Sequence, residues 1–217
     1  MKKKMILMSI AIILLVTSVI GGAVAAVSWM AKDPVKNEVA TRELKISLAR
    51  TSQDEPATDV FKDGRAAISV PAVMPMAQID APIWAQNNGD YTFYARFVVT
   101  KYWLDENQEK DIEKDPGMIT VGWKDDAAKS DWILVEDDEN SEVVYLYYKH
   151  PLDPNQKTSD IFNVIQIGNV GNEYSGLSAS LAIDAQAVQA IAADAAIEAE
   201  WGLVPTFDGD TLVNIEE

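Results

Sequence analysis

The stretch that decides the fold is YTFYARFVVTKYW, residues 91–103, which is aromatic or β-branched almost throughout. Alternate residues of an extended strand lie on opposite faces of its sheet. Apolar residues at every second position predict a core face, formed by Phe93, Ala95, Phe97 and Val99. The opposite face carries Tyr94, Arg96, Val98, Thr100 and Tyr102. The stretch therefore predicts a strand with one buried side.

The residues upstream of this strand predict how the chain reaches it. Asn88-Gly89-Asp90 favours positive φ and predicts a tight hairpin reversal. Residues 44–48 alternate apolar and polar side chains and predict a strand, and residues 66–70 predict another. Residues 51–56 have the composition of a polar connector.

Three prolines interrupt the apolar section between residue 70 and the predicted reversal: Pro71, Pro75 and Pro82. Proline has no backbone N–H to donate to a central ladder. We therefore expect this section to be an edge strand or a traverse between sheets.

The downstream residues predict more strands. Residues 119–123 and 161–167 are short apolar runs between turn signals. Residues 132–135 and 143–148 predict a second hairpin around an acidic reversal at 136–141.

The C-terminal part is rich in alanine, and two periods compete in it. Residues 177–187 alternate apolar and small polar side chains with period two, which favours a strand over a helix. Residues 191–200 contain strong helix formers, and Gly202 is placed to end a helix. From Pro205 onward no regular structure is predicted.

Short strands separated by turns, with one late helix and no βαβ rhythm, predict an all-β fold. We expect an antiparallel, jelly-roll-like β-sandwich with one short C-terminal helix, preceded by an N-terminal signal helix.

The N-terminus has the layout of a secretory signal. A cationic head of three lysines precedes the apolar run 5–20, and small residues follow it. Ala23, Ala25 and Ala26 are the predicted cleavage positions, with the cut after Ala25 or Ala26. The apolar run is short for a bilayer-spanning helix, which needs about 20 apolar residues, but an uncleaved membrane anchor remains the alternative.

The charge and the cysteine count limit what the exported part can bind and how it can be stabilised. Without the three signal lysines, 15 basic residues stand against 34 acidic residues, a formal charge of −19. Nucleic-acid binding, which needs clustered lysine and arginine, is therefore not expected. The chain has no cysteine, so an exported domain must rest on its hydrophobic core alone.

The residues offer little catalytic chemistry. His150 is the only histidine, so a zinc site of several imidazoles and a His-Glu-x-x-His protease site are excluded, and no serine elbow accompanies it. We expect no catalytic residue, no cofactor and no metal site. Residues 105–109 only partly match a calcium loop. Adjacent acids leave a carboxylate hydrolase open as an alternative; they lie at Asp125-Asp126, Asp137-Asp138-Glu139 and Asp208-Gly209-Asp210. Tyr145, Tyr147 and Tyr148 are either core tyrosines or a surface for sugar stacking.

An ordered set of short motifs resembles one family. The set comprises Gly21-Gly22-Ala23-Val24-Ala25, Asn88-Gly89 with Tyr94-Ala95-Arg96, Tyr147-Tyr148-Lys149 with Leu152-Asp153-Pro154 and Thr158, 185–190, and Trp201-Gly202. Together these resemble the TasA/camelysin family of exported bacterial proteins with SipW-dependent-type signal peptides. Ala23 stands where the family's signal motif has threonine.

The resemblance implies a jelly-roll subunit of extracellular biofilm-matrix or pilus-like fibres. Some members of the family are described as metalloproteases, but this sequence lacks His-Glu-x-x-His, so we expect no enzyme. It implies release by a signal peptidase and assembly by donor-strand complementation with other copies of itself or related fibre subunits. The membrane would be a partner only before cleavage, and the protein would be secreted to the cell surface or biofilm matrix. The implied donor anchors are Val27, Trp29, Val35, Val39 and Leu44.

The implied domain boundaries are a signal peptide at 1–25, a donor-strand segment at 26–50, a β-sandwich at 51–202 and a C-terminal tail at 203–217. The alternative function is a non-polymerising cell-surface binding module for carbohydrate or host protein.

Overall fold

The structure, a computed structural model, describes residues 44–52, 55–61, 64–136 and 142–216, all within one compact unit, Arg42–Glu217. The expected signal peptide and its cleavage positions lie outside the described residues. So do four of the five donor candidates, which are Val27, Trp29, Val35 and Val39. No helix in the described part of the chain is long and apolar enough to cross a membrane.

Strands dominate the described residues. The strands are β1 (Ile46–Ser52), β2 (Glu55–Phe61), β3 (Arg65–Val70), β4 (Gln78–Asn87), β5 (Phe93–Leu104), β6 (Lys110–Asp111), β7 (Ile119–Gly122), β8 (Trp132–Glu136), β9 (Val143–Tyr148), β10 (Phe162–Ile167), β11 (Ser178–Gln189), β12 (Val204–Asp208) and β13 (Thr211–Glu216). The helices are α1 (Asp126–Ser130) and α2 (Ala193–Trp201), with single 3₁₀ turns at Pro116–Met118 and Asn172–Tyr174.

The strands form two main antiparallel sheets. The first sheet has the order β2-β1-β4-β10-β7, and the second has the order β3-β11-β5-β9-β8, with β6 beside the end of β5. Buried side chains of both sheets belong to one hydrophobic core, among them Leu48 and Ile83 of the first sheet and Phe97 and Leu181 of the second. The all-β, antiparallel architecture predicted from the sequence is therefore confirmed.

β5 and β11 form the longest ladder, which runs from Phe93 opposite Gln189 to Leu104 opposite Ser178. The predicted core face of β5 is confirmed, since Phe93, Ala95, Phe97 and Val99 are all buried. Burying one large apolar side chain contributes about 1.5–3 kcal/mol, so this ladder anchors the domain. The buried face also continues further than predicted, through Lys101 and Trp103.

Two predictions for the alanine-rich part are confirmed. Period two gives strand β11, because Leu181 and Ile183 reach the core from one face. The predicted helix is α2, and it ends at Gly202, whose φ of 70° places it in the left-handed region. The N–H of Gly202 donates to the carbonyl of Glu198 at 3.0 Å.

The hairpin predicted at Asn88-Gly89-Asp90 is wrong. β4 belongs to the first sheet and β5 to the second, so the chain crosses between sheets here, and neither Asn88 nor Gly89 has a positive φ. The buried Asn87 side chain shapes the crossover: its Nδ2 donates to the carbonyls of Tyr91 and Leu152, and its Oδ1 accepts from the N–H of Gly89, each at 2.8 Å.

The proline-rich section also differs from the prediction. Pro82 lies in β4, which is paired on both sides, by β1 and β10. The register of the β10–β4 ladder shifts between Phe162 and Val164, which face Ile83 and Asp80. An irregularity of this kind leaves a residue without a ladder partner, and this is how an interior strand accepts proline.

The predicted connector at 51–56 and the unstructured tail are corrected as well. β1 continues to Ser52 and β2 begins at Glu55. The tail forms the β12–β13 hairpin, with Gly209 at φ 59° in its turn. The hairpin is held because the Phe207 ring lies 5.3 Å from the Tyr94 ring, on the outer face of β5.

Candidate functional site

Two of the residues considered for catalysis have structural partners, whereas Asp137, Asp138 and Glu139 lie outside the described residues. His150 Nε2 lies 3.6 Å from Asp131 Oδ1, at the surface. Asp125 caps helix α1 by accepting the N–H of Ala128 at 2.9 Å. Among the described residues, no group of three His, Asp or Glu side chains could hold a metal ion.

The partial calcium loop is closed by its own first residue. Asp105 Oδ1 accepts the backbone N–H groups of Glu109 and Asn107 at 2.8 Å each. The hydrogen bond from Glu109 is the main cause that lowers the pKa of Asp105. This carboxylate therefore organises a turn of its own chain.

The three tyrosines considered for sugar binding separate. Tyr147 and Tyr148 are buried, whereas Tyr145 is half-buried on the outer face of the second sheet. Beside Tyr145, the guanidinium of Arg96 lies 4.8 Å from the Trp201 ring and 5.9 Å from the Tyr145 ring. This cluster fastens helix α2 to the sheet and leaves only part of the Tyr145 ring exposed.

Lys101 is a buried lysine that the predicted core face did not include. It occupies a core-facing position of β5, between Val99 and Trp103. Burial lowers the pKa of Lys101, and the nearby Glu136 and Asp115 act in the opposite direction. The sequence signal was present, since a lysine at the core period of a strand predicts a buried cation with acidic neighbours.

The sheet edges differ in how they are protected. Within the described residues, the terminal strands of the two main sheets are β2, β7, β3 and β8. β2 contains Pro56, β7 has only 4 residues, and β8 ends at Glu136, ahead of further acidic residues in the sequence. Proline, shortness and charge are the usual devices that prevent an edge strand from pairing with another chain.

β3 has the weakest protection of the four edges. It pairs along its length with β11, from Arg65 opposite Asp184 to Val70 opposite Ala179. No charged residue occurs between Arg65 and Asp80 in the sequence. Arg65, its single charge, contacts Asp184 with Nε 3.1 Å from Oδ1. Among the described residues, β3 therefore offers outward main-chain donors and acceptors along an edge whose single charge, Arg65, stands at its first residue.

The surface beside β3 is lined by small side chains. A shallow depression of about 290 Å³ lies against the second sheet, and its lining includes Arg65, Val98, Thr100 and Ala182.

The first described residues limit the predicted donor segment. Leu44 packs against the domain's own core, and the carbonyl of Lys45 accepts the N–H of Asn88 at 2.8 Å. β1 then lies between β2 and β4 in the interior of the first sheet. Residues 44–50 are therefore internal to this domain, and Leu44, one of the predicted donor anchors, belongs to the domain's own core.

The fold and the edge together define a two-sheet β-sandwich with one weakly protected edge strand. Comparisons with protein-family models, with curated proteins and with solved structures return no match. The functional argument therefore rests on the edge geometry and on the sequence motifs.

Proposed function

We propose that this chain is an exported structural subunit of extracellular biofilm-matrix or pilus-like fibres, assembled by donor-strand complementation. The observation that carries the proposal is the β3 edge, which has no charge after Arg65, combined with an 18-residue segment, 26–43, ahead of the domain. In this proposal the sandwich is a jelly roll, as the resemblance to the TasA/camelysin family implies.

The signal peptide and its cleavage belong to the same proposal. A signal peptidase cuts after Ala25 or Ala26 and releases the segment, so that assembly begins only after export. The partners are other copies of this chain or related subunits, and the location is the cell surface or the matrix.

Strand addition at β3 would supply main-chain hydrogen bonds and buried anchors. Alternate residues of an edge strand direct their N–H and C=O groups outward, so the 6 residues of β3 offer roughly six main-chain hydrogen bonds. At about 1 kcal/mol each, these give roughly 6 kcal/mol. Two buried anchors among Val27, Trp29, Val35 and Val39 would add about 1.5–3 kcal/mol each. This total is opposed by the entropy lost when the segment becomes ordered.

The decisive experiment compares two lengths of chain by negative-stain electron microscopy. A chain that begins at Ala26 carries the whole segment. A chain that begins at Arg42 lacks residues 26–41, which include all four remaining anchor candidates, but keeps β1 and therefore keeps the sheet. We expect fibres from the longer chain only, with the same strand content in both by circular dichroism. Fibres from both chains, or from neither, would refute donor-strand assembly.

A second candidate function is a non-polymerising surface module that binds carbohydrate. The observation in its favour is the half-exposed ring of Tyr145 beside Arg96. This function predicts a chain that stays monomeric in sedimentation at every salt concentration. It also predicts glycan binding that Tyr145→Ala abolishes and that Tyr102→Ala, on the same outer face, leaves intact.

A further inference from the structure

The loop that joins β3 to β4 exposes apolar side chains. In residues 71–77, the methionine loop, Met74 is 72% exposed and Met76 is 73% exposed. The seven residues of this loop are all apolar. Methionine is flexible and polarizable, and it is common at surfaces that bind other proteins. The loop is therefore an apolar surface on a strongly acidic domain.

The backbone holds these side chains in place at a conformational cost. The N–H of Ala77 donates to the carbonyl of Met74 at 3.2 Å, which closes a turn with Pro75 second and Met76 third. Met76 has φ 60°, and Ala72 has φ 50°. The third position of such a turn ordinarily carries glycine or asparagine. A methionine with positive φ costs conformational energy, so folding alone does not explain why methionine occupies this position.

The loop is also fixed to the rest of the domain. The N–H of Met76 donates to the carbonyl of Gly168 at 3.0 Å, and the N–H of Ile167 donates to the carbonyl of Ala77 at 2.9 Å. Both methionines are therefore presented from an anchored backbone.

The methionine loop and the start of β1 lie at opposite ends of the sandwich. β4 begins just after the loop, at Gln78, and ends at Asn87, which pairs with Ile46. A strand of 10 residues spans about 33 Å. The described chain begins at Leu44, next to the Ile46 end, and 18 fully extended residues ahead of it would span at most about 60 Å. In an end-to-end stack, the segment of one copy meets the methionine loop of the next.

Charge allows this contact. Residues 26–43 contain three basic and three acidic residues and are neutral. The rest of the exported chain has 12 basic and 31 acidic residues, a formal charge of −19. A neutral segment on an uncharged loop avoids the repulsion that two acidic domains would otherwise meet.

We propose that the methionine loop is the surface on which a second copy of this chain docks the C-terminal half of its segment 26–43. Val35 and Val39 of one copy contact Met74 and Met76 of the next. This inference rests on the proposed function and adds the place where the segment enters its partner.

Cysteine cross-linking tests the contact directly, since the chain has no cysteine of its own. Chains that begin at Ala26 and carry Val35→Cys or Val39→Cys are mixed with chains that carry Met74→Cys. After mild oxidation, we expect disulfide-linked heterodimers in at least fivefold excess over a control mixture. The control uses Val204→Cys, at an apolar residue that is 55% exposed on the C-terminal hairpin. Equal yields in the two mixtures would overturn the inference.

Met76→Gly separates binding from folding. Glycine accepts a φ of 60° without strain, so this variant should melt at the same temperature as the parent chain or higher. We expect it nevertheless to raise the concentration needed for fibres at least tenfold. If Met76→Gly forms fibres like the parent while the chain from Arg42 forms none, the docking inference fails and the proposed function stands. If the chain from Arg42 also forms fibres, both fail.

Discussion

Replacing Ile197 by alanine tests whether the C-terminal helix and hairpin are an integral part of the domain. Ile197 is the buried residue of helix α2 and is fully inaccessible to solvent. It packs in a small cluster with Tyr94 and Val188, on the outer face of the second sheet. The cluster is separate from the main core and is the contact through which α2 and the β12–β13 hairpin dock.

The expected loss of stability follows from this burial. A buried isoleucine changed to alanine costs about 2–5 kcal/mol, and a peripheral cluster that partly collapses falls at the lower end, about 2–3 kcal/mol. For a domain of this size, 1 kcal/mol corresponds to about 2–4 °C in Tm. We therefore expect Ile197→Ala to lower Tm by about 4–12 °C.

The assay is thermal unfolding followed by circular dichroism and by tryptophan fluorescence. Trp201 lies 5.8 Å from the Tyr147 ring, so undocking of α2 changes its emission. The matched control is Ile191→Ala, the same substitution at a residue that is 69% exposed, and it should shift Tm by less than about 2 °C. If the two variants melt alike, the C-terminal module is not docked and the reasoning fails.

Four further predictions follow from other features. Asn87→Leu leaves two carbonyls and one N–H of a buried crossover without hydrogen-bond partners, and it should lower the free energy of unfolding in urea by about 2–4 kcal/mol. The control Asn88→Ser should lower it by less than about 1 kcal/mol, and equal losses would contradict the role of Asn87. Burial raises the pKa of Asp160, so its charged form destabilises the folded state at neutral pH. Asp160→Asn should therefore raise Tm at pH 7, and this gain should disappear as the pH falls through the raised pKa towards the unfolded value near 3.8. A gain in Tm that does not change with pH would contradict this. Ala67→Lys adds a charge to the β3 edge and should leave Tm unchanged while raising the concentration for fibres about tenfold, whereas Thr120→Lys on the β7 edge should do neither. Divalent cations or mild acid should increase turbidity by reducing the self-repulsion of an acidic chain, and turbidity that ignores both calcium and pH would count against it.

Alternation within a segment predicted most of the strands. β5 and β11 follow from their own residues, because one face of each strand is apolar at every second position. The turn at Asn88 was misassigned because a side chain decides it: Asn87 bonds to Leu152, 65 positions away in the sequence. Pro82 was misassigned because a shifted register, invisible in one strand alone, accommodates it.

The candidate site depends on strand order, which local patterns do not contain. That β3 is an edge follows only from its pairing with β11, more than 100 positions later. The tail contained a usable signal that was overlooked, since Asp208-Gly209 between alternating residues predicts a hairpin. The hairpin docks on Tyr94 because the outer face of β5 is partly apolar, as Tyr94 and Val98 show.

The interior position of β1 determines how the domain would respond to tension. A pull on the residues ahead of Leu44 acts along β1, which is bonded to β2 on one side and to β4 on the other. The force would load the hydrogen bonds of both ladders at the same time, in shear, and would not break them one after another. A chain of such domains, joined through their N-terminal segments, would therefore resist stretching at β1, the strand that carries the force.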